Sequence, residues 1–334
     1  MTTTPLTVAV TGPTGEIGQT FIRALERTPG VGEIRGMARR PFDPASMGWE
    51  RTTYVQGDIL DRDAVDELVK GADVVVHLAF IIFGDARETR TNNLEGSRNV
   101  FAATAAAGAT RIVYTSSVAA YGFHPENPLP LSEDVPPDGS EGFYYSAQKA
   151  ELEGALTEAL EGTTTTAYVF RPSIVGGPES PILVEHLPYV QASAALPASL
   201  RRLVDALPTP APVLPDFGVP LQIVHAEDVA QALVAGVLGR GEPGIYNLAA
   251  DGEITLGDVA EEMGWHSVRL PKATVDLTGA LVERFPFTPA GMQWIQALRV
   301  PVVMDTARAK RELGWAPAYD ARETLRQTVA GARG

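Results

Sequence analysis

Short apolar runs alternate with amphipathic stretches through the first half of the chain. Runs rich in Val and Ile, among them "LTVAVTG", "ADVVVHLA" and "RIVYTSS", predict buried strands, and the mixed segments between them, such as "DRDAVDELVKG", predict helices. Strands and helices in alternation indicate βαβ units, which build a parallel sheet. The pattern therefore predicts an α/β fold with a doubly wound parallel sheet.

The second half of the chain departs from this alternation. "TTAYVFRPSIVG" continues the strand pattern, a Pro-rich region follows at residues 176–220, and a helix in "DTARAKRELGWAP" is expected to end at Gly314 and Pro317. We expect a smaller, discontinuous α+β domain that covers the carboxyl edge of the sheet, where ligands of open α/β sheets bind. The predicted division is residues 1–172 with 221–240 for the sheet domain, and mostly residues 173–220 and 241–334 for the substrate domain.

Composition and charge narrow the classes of partner. The chain has 334 residues, 27 of them basic and 41 acidic, so its formal net charge is −14, which opposes binding to nucleic acid and to anionic membranes. The start "MTTTPLTVAV" lacks the pattern of a signal peptide, and no apolar run is long enough to span a bilayer. The absence of cysteine excludes disulfides and thiolate sites, and the five histidines form no metal pattern. We expect a cytoplasmic protein that binds a small molecule and no metal.

A glycine-rich turn stands between the first predicted strand and the first predicted helix. In "VAVTGPTGEIG", Gly12, Gly15 and Gly18 suit a tight turn, a backbone close to a pyrophosphate, and a helix N-terminus whose free N–H groups meet that anion. The strand-turn-helix context makes the motif specific. The sequence therefore predicts a Rossmann-type domain that binds a dinucleotide.

The end of the second predicted strand indicates which dinucleotide is bound. An NAD site usually has an Asp or Glu there, but "IRGMARRP" ends in Ala38, Arg39 and Arg40. Two guanidinium groups suit the 2′-phosphate of NADP, so NADP is the predicted cofactor. NAD is kept as the alternative, because solvated arginine pairs are common on protein surfaces. In "GDI", which ends the next strand, Asp58 and Ile59 are predicted to contact the adenine side.

Two adjacent tyrosines open the amphipathic stretch "FYYSAQKAELEGAL". Tyr145 and Lys149 are four residues apart and share a helix face, whereas Tyr144 points elsewhere. A phenol of ordinary pKa, near 10, transfers a proton near neutral pH only if its phenolate is stabilised. The Lys149 ammonium can lower that pKa. Of the two tyrosines, the spacing therefore selects Tyr145 as the candidate acid/base, and the alternative of a half-buried aromatic beside a solvated surface charge stays open at this point.

Taken together, these motifs resemble the extended branch of the short-chain dehydrogenase/reductase superfamily, often described as NAD-dependent epimerase/dehydratase-like. Besides "TGPTGEIG" and "YSAQK", the matching pieces are "GDILD", "VVVHLA", "NNLEGSRNV", "VYTSSVAAYG", "FRPSIVGGP", "IVHAEDVAQAL" and "ELGWAP", in the family's order. The resemblance implies that Tyr145 is the catalytic acid/base, Lys149 its electrostatic partner and Ser117 the group that binds the reacting oxygen, with Ser116 as the alternative. Homodimers are frequent in this branch, so a homodimer is expected.

The resemblance also extends the set of predicted cofactor contacts. It implies that Asn93 and residues after later strands line the cofactor, while His77, Arg171, His225 and Asp228 are structural or support the site. The complete predicted set is Gly12, Thr14, Gly15, Glu16, Ile17, Gly18, Arg39, Arg40, Asp58, Ile59, Leu78, Ala79, Asn93, Thr115, Pro172 and Ser173, together with Tyr145 and Lys149.

Apolar side chains follow several predicted strands at the carboxyl edge of the sheet, where a small-molecule pocket belongs. The residues predicted to contact the substrate, besides Ser117, are Phe80, Phe83, Tyr121, Phe123 and Tyr144. We therefore expect an NADPH-dependent oxidoreductase that reduces a ketone or aldehyde of a small hydrophobic substrate. Tyr145 would give the proton, and the cofactor would carry the hydride.

Two other functions stay open at this point. One is a nucleotide-sugar epimerase with tightly bound NAD(P). Members of that kind typically carry an arginine near "PLQIVHAED" that binds the diphosphate of the substrate, but this sequence has Gln222 there. Arg201 and Arg202 are the candidates to replace that arginine. Dehydration is disfavoured. Sugar-nucleotide dehydratases of this branch have a Thr followed by an Asp-Glu pair at this position, and "SSVAAYG" has no acidic pair. The other is a non-catalytic, dinucleotide-sensing regulator, which the intact "YSAQK" disfavours.

Overall fold

Seven strands form one parallel sheet, and four shorter strands pair outside it. The structure is a computed structural model and describes residues 4–83, 86–185, 187, 189–190, 211–270 and 299–333. The strands are β1 (Leu6–Thr11), β2 (Val31–Ala38), β3 (Thr52–Gln56), β4 (Val74–His77), β5 (Arg111–Thr115), β6 (Thr166–Pro172), β7 (Ile174–Gly176), β8 (Val213–Asp216), β9 (Ile223–His225), β10 (Gly244–Leu248) and β11 (His266–Arg269). The order in the large sheet is β10, β6, β5, β4, β1, β2, β3, with every neighbouring pair parallel.

Helices connect these strands. They are α1 (Glu16–Glu26), α2 (Arg62–Val69), α3 (Ala86–Arg90), α4 (Gly96–Ala107), α5 (Tyr144–Leu160), α6 (Ile182–Glu185), α7 (Ala226–Val237), α8 (Leu256–Met263), α9 (Ala307–Glu312) and α10 (Ala321–Arg333). A π-helical stretch, Thr91–Glu95, joins α3 to α4. Across the described ranges, every helix is too short or too polar to cross a lipid bilayer.

Both faces of the large sheet are covered by helices, which confirms the predicted α/β, doubly wound, Rossmann-type fold. In β4, Val74 and Val76 join the apolar cluster under α1 and α7, whereas Val75 joins the cluster under α2 and α4. Successive side chains of a strand point to opposite faces, so a strand that is covered on both sides is apolar throughout. This explains the unbroken Val run of β4.

Side chains cap the first turns of two helices, α2 and α8. The Asp61 carboxylate caps α2 by accepting from the backbone nitrogens of Asp63 and Ala64. Thr255 and Asp258 form a reciprocal capping box at the start of α8. Such caps satisfy N–H groups that have no partner inside the helix.

The order of strands reverses at β1, which fixes the position of the ligand crevice. β2 and β3 lie on one side of β1, and β4, β5 and β6 lie on the other. Ligands of doubly wound sheets bind outside the carboxyl ends of the strands at such a switch point. The chain therefore offers a crevice beyond Thr11 of β1 and His77 of β4.

A second apolar cluster lies outside the large sheet. It joins α6, α8 and α10 with β8 and β9 through residues such as Leu214, Ile223, Val259 and Leu325. β8 pairs with β11 and β7 pairs with β9, both in parallel. This smaller unit is discontinuous, because α7 leaves it to pack on the large sheet.

Two elements differ from the sequence prediction. Residues 244–248, which fall in the range expected mostly in the substrate domain, form β10 at the edge of the large sheet and pair with β6. The predicted helix before Gly314 is α9, but a further helix, α10, follows it. Leu325 and Val329 of α10 face the second cluster, and their spacing of four is the signal that would have predicted this helix.

Candidate active site

Two glycines of the turn after β1 are required by the packing of the protein itself. Gly12 has a φ of 74°, and a Cβ there would lie 2.7 Å from the Ala79 nitrogen. A Cβ on Gly18 would lie 2.2 Å from the Gly12 carbonyl oxygen. Backbone atoms exclude a side chain at both positions, so the turn, α1 and the chain after β4 are in direct contact.

Gly15 has a different environment and shows that the turn fits a pyrophosphate. This glycine is exposed, and among the described residues a Cβ on it would meet only the Gly12 oxygen, at 3.6 Å. It is the N-cap of α1, and no side chain in the described part of the chain caps the first N–H groups of that helix. Free N–H groups behind open space suit an anion. The protein's own packing does not require a glycine here, whereas close approach of a phosphate does.

Two buried hydroxyl groups at the ends of β5 and β6 also fit a bound cofactor. Thr115 Oγ1 and Ser173 Oγ find no hydrogen-bond partner among the described residues, although the two residues are only 8% and 7% exposed. A buried polar group without a partner is costly, and a bound molecule can supply that partner. Both residues belong to the predicted cofactor set.

Glu16 begins α1 and brings a carboxylate to the edge of the crevice. Burial raises the pKa of Glu16, the nearby Ser180 side chain opposes the rise, and the Glu185 charge adds to it. The side chain therefore faces the segment that follows β7. Of the remaining predicted cofactor residues of this region, Thr14 and Ile17 follow β1, Leu78 and Ala79 follow β4, and Pro172 is the last residue of β6.

The ends of β2 and β3 form the outer part of the crevice. Arg39 and Arg40 are exposed, and neither guanidinium has an ion-pair partner within the described ranges. Asp58 Oδ1 accepts from the Leu60 nitrogen at 3.0 Å. The side chain of Ile59 packs against α4, where a Cβ on Gly96 would lie 2.5 Å from it. Two available cations at this edge suit an additional phosphate, while Ile59 has only its backbone to offer.

The first turn of α5 places Tyr145 beside the turn that follows β5. Ser146 Oγ donates to the Ala119 carbonyl at 2.6 Å and so ties α5 to that turn. Tyr145 is 9% exposed. Burial raises the pKa of Tyr145 to about 12, and a hydrogen bond with the Ser117 side chain opposes the rise. The phenol is therefore protonated at neutral pH and meets the hydroxyl predicted to hold the reacting oxygen.

Lys149 lies one helical turn after Tyr145 and is buried. Its Nζ donates to the Thr115 carbonyl at 2.9 Å and lies 3.9 Å from the centroid of the Phe80 ring. Burial lowers the pKa of Lys149 to about 7, an effect that the Glu153 carboxylate opposes. Lys149 is thus not a solvated surface charge. The expected lowering of the Tyr145 pKa by Lys149 is not seen in the protein alone, because burial of the phenol dominates.

A buried ion pair lies behind these residues. Arg171 Nε and Nη2 donate to the two Glu153 oxygens at 2.9 and 2.6 Å, and the two side chains are 0% and 6% exposed. Ser116 Oγ donates to Glu153 Oε1 at 2.6 Å. Ser116 is therefore engaged inside the protein, which leaves Ser117 to face Tyr145. The sequence analysis missed Glu153, although its position four residues after Lys149 places both on one helix face.

Asn93 holds the loop that follows β4. Its Oδ1 accepts from the Ile81 nitrogen at 2.8 Å, and its Nδ2 donates to the Ile81 carbonyl and to Gln148 Oε1, each at 2.9 Å. The residue is 1% exposed. The prediction of a direct cofactor contact is corrected here, because the amide is used to fix the loop that carries Phe80.

His77 is a buried neutral residue below the crevice. Its Nδ1 pairs with Thr11 Oγ1 at 2.6 Å and its Nε2 with Ser97 Oγ at 2.8 Å. Burial, with a smaller effect of the Lys149 charge, lowers the pKa of His77 from 6.5 to about 3. The unfolded chain therefore binds a proton below pH 6.5 that the folded protein does not bind until about pH 3.

This pKa shift predicts a loss of stability in acid. Because the pKa of His77 is lower in the folded protein than in the unfolded chain, protonation below pH 6.5 favours the unfolded chain. The resulting loss in the free energy of unfolding is near zero above pH 7 and grows by about 2 kcal/mol between pH 7 and 5. Urea unfolding at pH 7 and pH 5 measures the free energy of unfolding of the wild type and of His77→Gln. Between these two pH values the variant should lose about 2 kcal/mol less of that free energy than the wild type. Equal losses in the two proteins would contradict the prediction.

Aromatic side chains form a wall around Tyr145. The Phe80 ring meets the Tyr145 ring edge-on at 5.5 Å, and the Phe143 ring lies 5.9 Å from it. Phe123 packs on Phe143 at 5.7 Å, and the Tyr144 hydroxyl donates to the Ile82 carbonyl. Half-buried Phe83 follows in the same loop as Phe80. Among the described residues, the wall is apolar apart from the hydroxyls of Ser117, Tyr144 and Tyr145 and the Lys149 ammonium.

Tyr121 does not belong to this wall, which corrects the prediction that it contacts substrate. The side chain is fully buried. Its ring lies 4.2 Å from the Arg171 guanidinium carbon, and its hydroxyl donates to Asn247 Oδ1 at 2.8 Å. The buried arginine needs a partner on its open face, and Tyr121 supplies it. His225 and Asp228 are likewise structural, the first as the N-cap of α7 and the second as the acceptor of backbone groups before α10.

Comparisons with known proteins match this arrangement to one family. Residues 8–249 fit the model described as the NAD dependent epimerase/dehydratase family. The chain is 30% identical over 328 residues to a protein named ceramide reductase from Caulobacter vibrioides, covering 93% of this chain and 86% of that one. It is 31% identical over 184 residues to the 2-alkyl-3-oxoalkanoate reductase of Shewanella oneidensis, covering 52% of this chain and about half, 46%, of that protein. A short-chain dehydrogenase/reductase superfamily protein from Agrobacterium tumefaciens, solved with bound NAD, superposes with a TM-score of 0.71 at 22% identity, over 98% of this chain and 97% of that chain.

Proposed function

Because the chain belongs to the NAD dependent epimerase/dehydratase family, we propose that it is an NADPH-dependent reductase of a carbonyl group in a small hydrophobic substrate, reversible as an alcohol dehydrogenase. The observation that carries the proposal is the buried Ser117 and Tyr145 pair behind an apolar, aromatic wall. Such a wall suits a substrate with little charge. The names of two relatives, ceramide reductase and 2-alkyl-3-oxoalkanoate reductase, support reduction as the reaction.

The residues of the site divide the work of carbonyl reduction. Ser117 holds the carbonyl oxygen, and Tyr145 gives its proton to that oxygen as the alcohol forms. The chemistry supplied by a bound nicotinamide is hydride transfer. The turn at Gly15 and the hydroxyls of Thr115 and Ser173 would hold that cofactor. Since the pKa of Tyr145 is raised to about 12, the phenol starts in the protonated form that reduction needs.

The alternative is a nucleotide-sugar epimerase, and the surroundings of Gln222 speak against it. The Gln222 amide is used on the Met304 backbone, accepting at 2.7 Å and donating at 3.2 Å. A cavity of about 550 Å³ beside it is lined by Asp251, Glu253 and Asp305, of which Asp251 is paired with Lys310. The described residues that line this cavity include three acidic ones and no basic one, and acidic residues disfavour a diphosphate. Arg201 and Arg202, the other candidates for that contact, lie outside the described residues.

The absorbance of reduced nicotinamide tests the proposal directly. Purified protein is given NADPH or NADH with a panel of hydrophobic ketones and aldehydes and, separately, a panel of nucleotide-sugars. Net oxidation of NADPH with a carbonyl compound is the expected result. Absence of net oxidation in both panels, with sugar products that change in chromatography, would establish the epimerase instead, because its hydride returns to the substrate.

The choice of NADPH over NADH is expected to depend on Arg39 and Arg40. Changing both to Ala should weaken the binding of NADPH about ten- to a hundredfold, since a charge-assisted hydrogen bond contributes about 1.5–3 kcal/mol. NADH, which lacks the 2′-phosphate, should change less than about threefold. Equilibrium titration of the cofactor fluorescence measures both constants.

A matched control is Arg240→Ala, which removes an exposed guanidinium at the opposite edge of the sheet. Arg240 follows Gly239, whose neighbour is Arg111 at the amino end of β5. This variant should bind both cofactors as the wild type does. Unchanged NADPH affinity in the Arg39 and Arg40 variant would contradict the cofactor assignment.

A further inference from the structure

Two side chains of β3 hold the backbone that carries the arginine pair. The Tyr54 hydroxyl reaches two carbonyl oxygens after β2, that of Ala38 at 2.8 Å and that of Arg40. Gln56 Nε2 donates to the intervening carbonyl, that of Arg39, at 3.0 Å. Side chains of one neighbouring strand thus reach three successive carbonyls. The single Tyr54 O–H is shared between those of Ala38 and Arg40, and the Ala38 carbonyl also accepts from the Gly57 nitrogen at 3.1 Å.

These contacts replace the sheet ladder at the point where it ends. β2 ends at Ala38, and its pairing with β3 ends with Ala38 opposite Gln56. Arg40 precedes Pro41, which has no N–H and which restricts Arg40 to extended conformations. The chain leaves the sheet here, and the side chains of Tyr54 and Gln56 act as donors to the carbonyls of Arg40 and Arg39 beyond the last backbone pair.

The Tyr54 ring is itself held by aromatic packing. The Phe42 ring lies 5.5 Å from the Tyr54 ring and 5.0 Å from the Trp49 ring. Trp49 is 5% exposed and belongs to the apolar cluster of the large sheet. The hydroxyl of Tyr54 is therefore anchored to the protein core, while the two guanidiniums that it serves are exposed.

We propose that Tyr54 and Gln56 are positioning residues that hold the Arg39 and Arg40 backbone for the 2′-phosphate of NADPH, and that they set the preference for NADPH over NADH. The inference rests on the proposed use of NADPH. Holding the backbone before binding lowers the cost of ordering it in the complex. Loss of this clamp, defined as Tyr54 and Gln56, should therefore weaken the binding of NADPH. The binding of NADH, which has a hydroxyl in place of the phosphate at this position, should change little.

The test uses the full chain and measures equilibrium binding of NADPH and of NADH by cofactor fluorescence, without any substrate. Tyr54→Phe keeps the ring packing and removes the hydroxyl, and we expect NADPH to bind about three- to tenfold more weakly, with NADH changed less than twofold. Gln56→Leu removes the second contact at an exposed site and should act in the same direction. It decides the question alone if Tyr54→Phe does not fold.

Tyr168→Phe is the matched control, because the Tyr168 hydroxyl also donates to a backbone carbonyl, that of Gly241 at 3.0 Å, away from the arginine pair. It should leave both affinities unchanged. If the wild type prefers NADPH but the clamp variants weaken both cofactors equally, or neither, the inference is overturned while the cofactor proposal stands. A wild type that binds NADH as tightly as NADPH would overturn the cofactor proposal itself and remove the premise of the clamp.

Discussion

Tyr145→Phe is expected to lower kcat for carbonyl reduction about 10³-fold, since a positioned acid contributes about 10² to 10⁴-fold. The change removes only the hydroxyl, so the ring contacts with Phe80 and Phe143 remain. Binding of NADPH should stay within about threefold of the wild type. Steady-state kinetics with the carbonyl substrate found in the panel, together with a cofactor titration, measure the two effects separately.

The neighbouring tyrosine provides the control for this prediction. Tyr144→Phe removes a hydroxyl that donates to the Ile82 carbonyl, and the loss of that bond should lower kcat no more than about tenfold. A Tyr145→Phe enzyme that keeps wild-type turnover would contradict the mechanism. Equal losses in the two variants would show that the loop after β4, and not the acid, had been disturbed.

Arg171→Met is expected to be the most destabilising single change discussed here. It removes the ion-pair partner of the Glu153 carboxylate, a side chain that is only 6% exposed in the wild type. Removing one partner of a buried ion pair typically costs about 3–5 kcal/mol. Urea unfolding of the wild type and the variant measures the difference in the free energy of unfolding.

Two further variants separate the buried charge from lost packing. Glu153→Gln in the Arg171→Met background removes the unpaired charge and still offers an oxygen to Ser116, so the double variant should regain about half of the lost stability. Arg62→Met breaks an exposed pair with Asp66 and should cost less than about 1 kcal/mol. A double variant no more stable than Arg171→Met would show that packing, and not the charge, accounts for the loss.

The same ion pair lies next to the residues proposed for catalysis. Glu153 accepts from Ser116, the residue before Ser117, and its charge supports the protonated form of Lys149. The Arg171–Glu153 pair therefore holds the position of Ser116 and supports the charge of Lys149 from inside the protein.

The local patterns of the sequence determined the fold class, the family and the place of the cofactor turn. Strand, turn and helix are contiguous around Gly12, Gly15 and Gly18, and a parallel sheet follows from the alternation of elements. Family and fold are both confirmed by the comparisons and the sheet. The shared helix face of Tyr145 and Lys149 also follows from spacing alone. The catalytic and cofactor assignments of single residues stay predictions.

Tertiary structure decided what depends on residues far apart in the chain. Periodicity shows which side of an element is buried, but not which distant residue is opposite it. The contact of Ser116 with Glu153 is what distinguishes Ser116 from Ser117 as a candidate for binding the reacting oxygen. Tyr121 lies away from the predicted substrate cleft because it packs on Arg171 and donates to Asn247. The place of β10 beside β6 and the contact of Tyr54 with the arginine backbone are equally long-range. Burying a charge or a phenol hydroxyl costs free energy unless a partner lies beside it. Those partners are distant in the sequence and come together only in the folded chain.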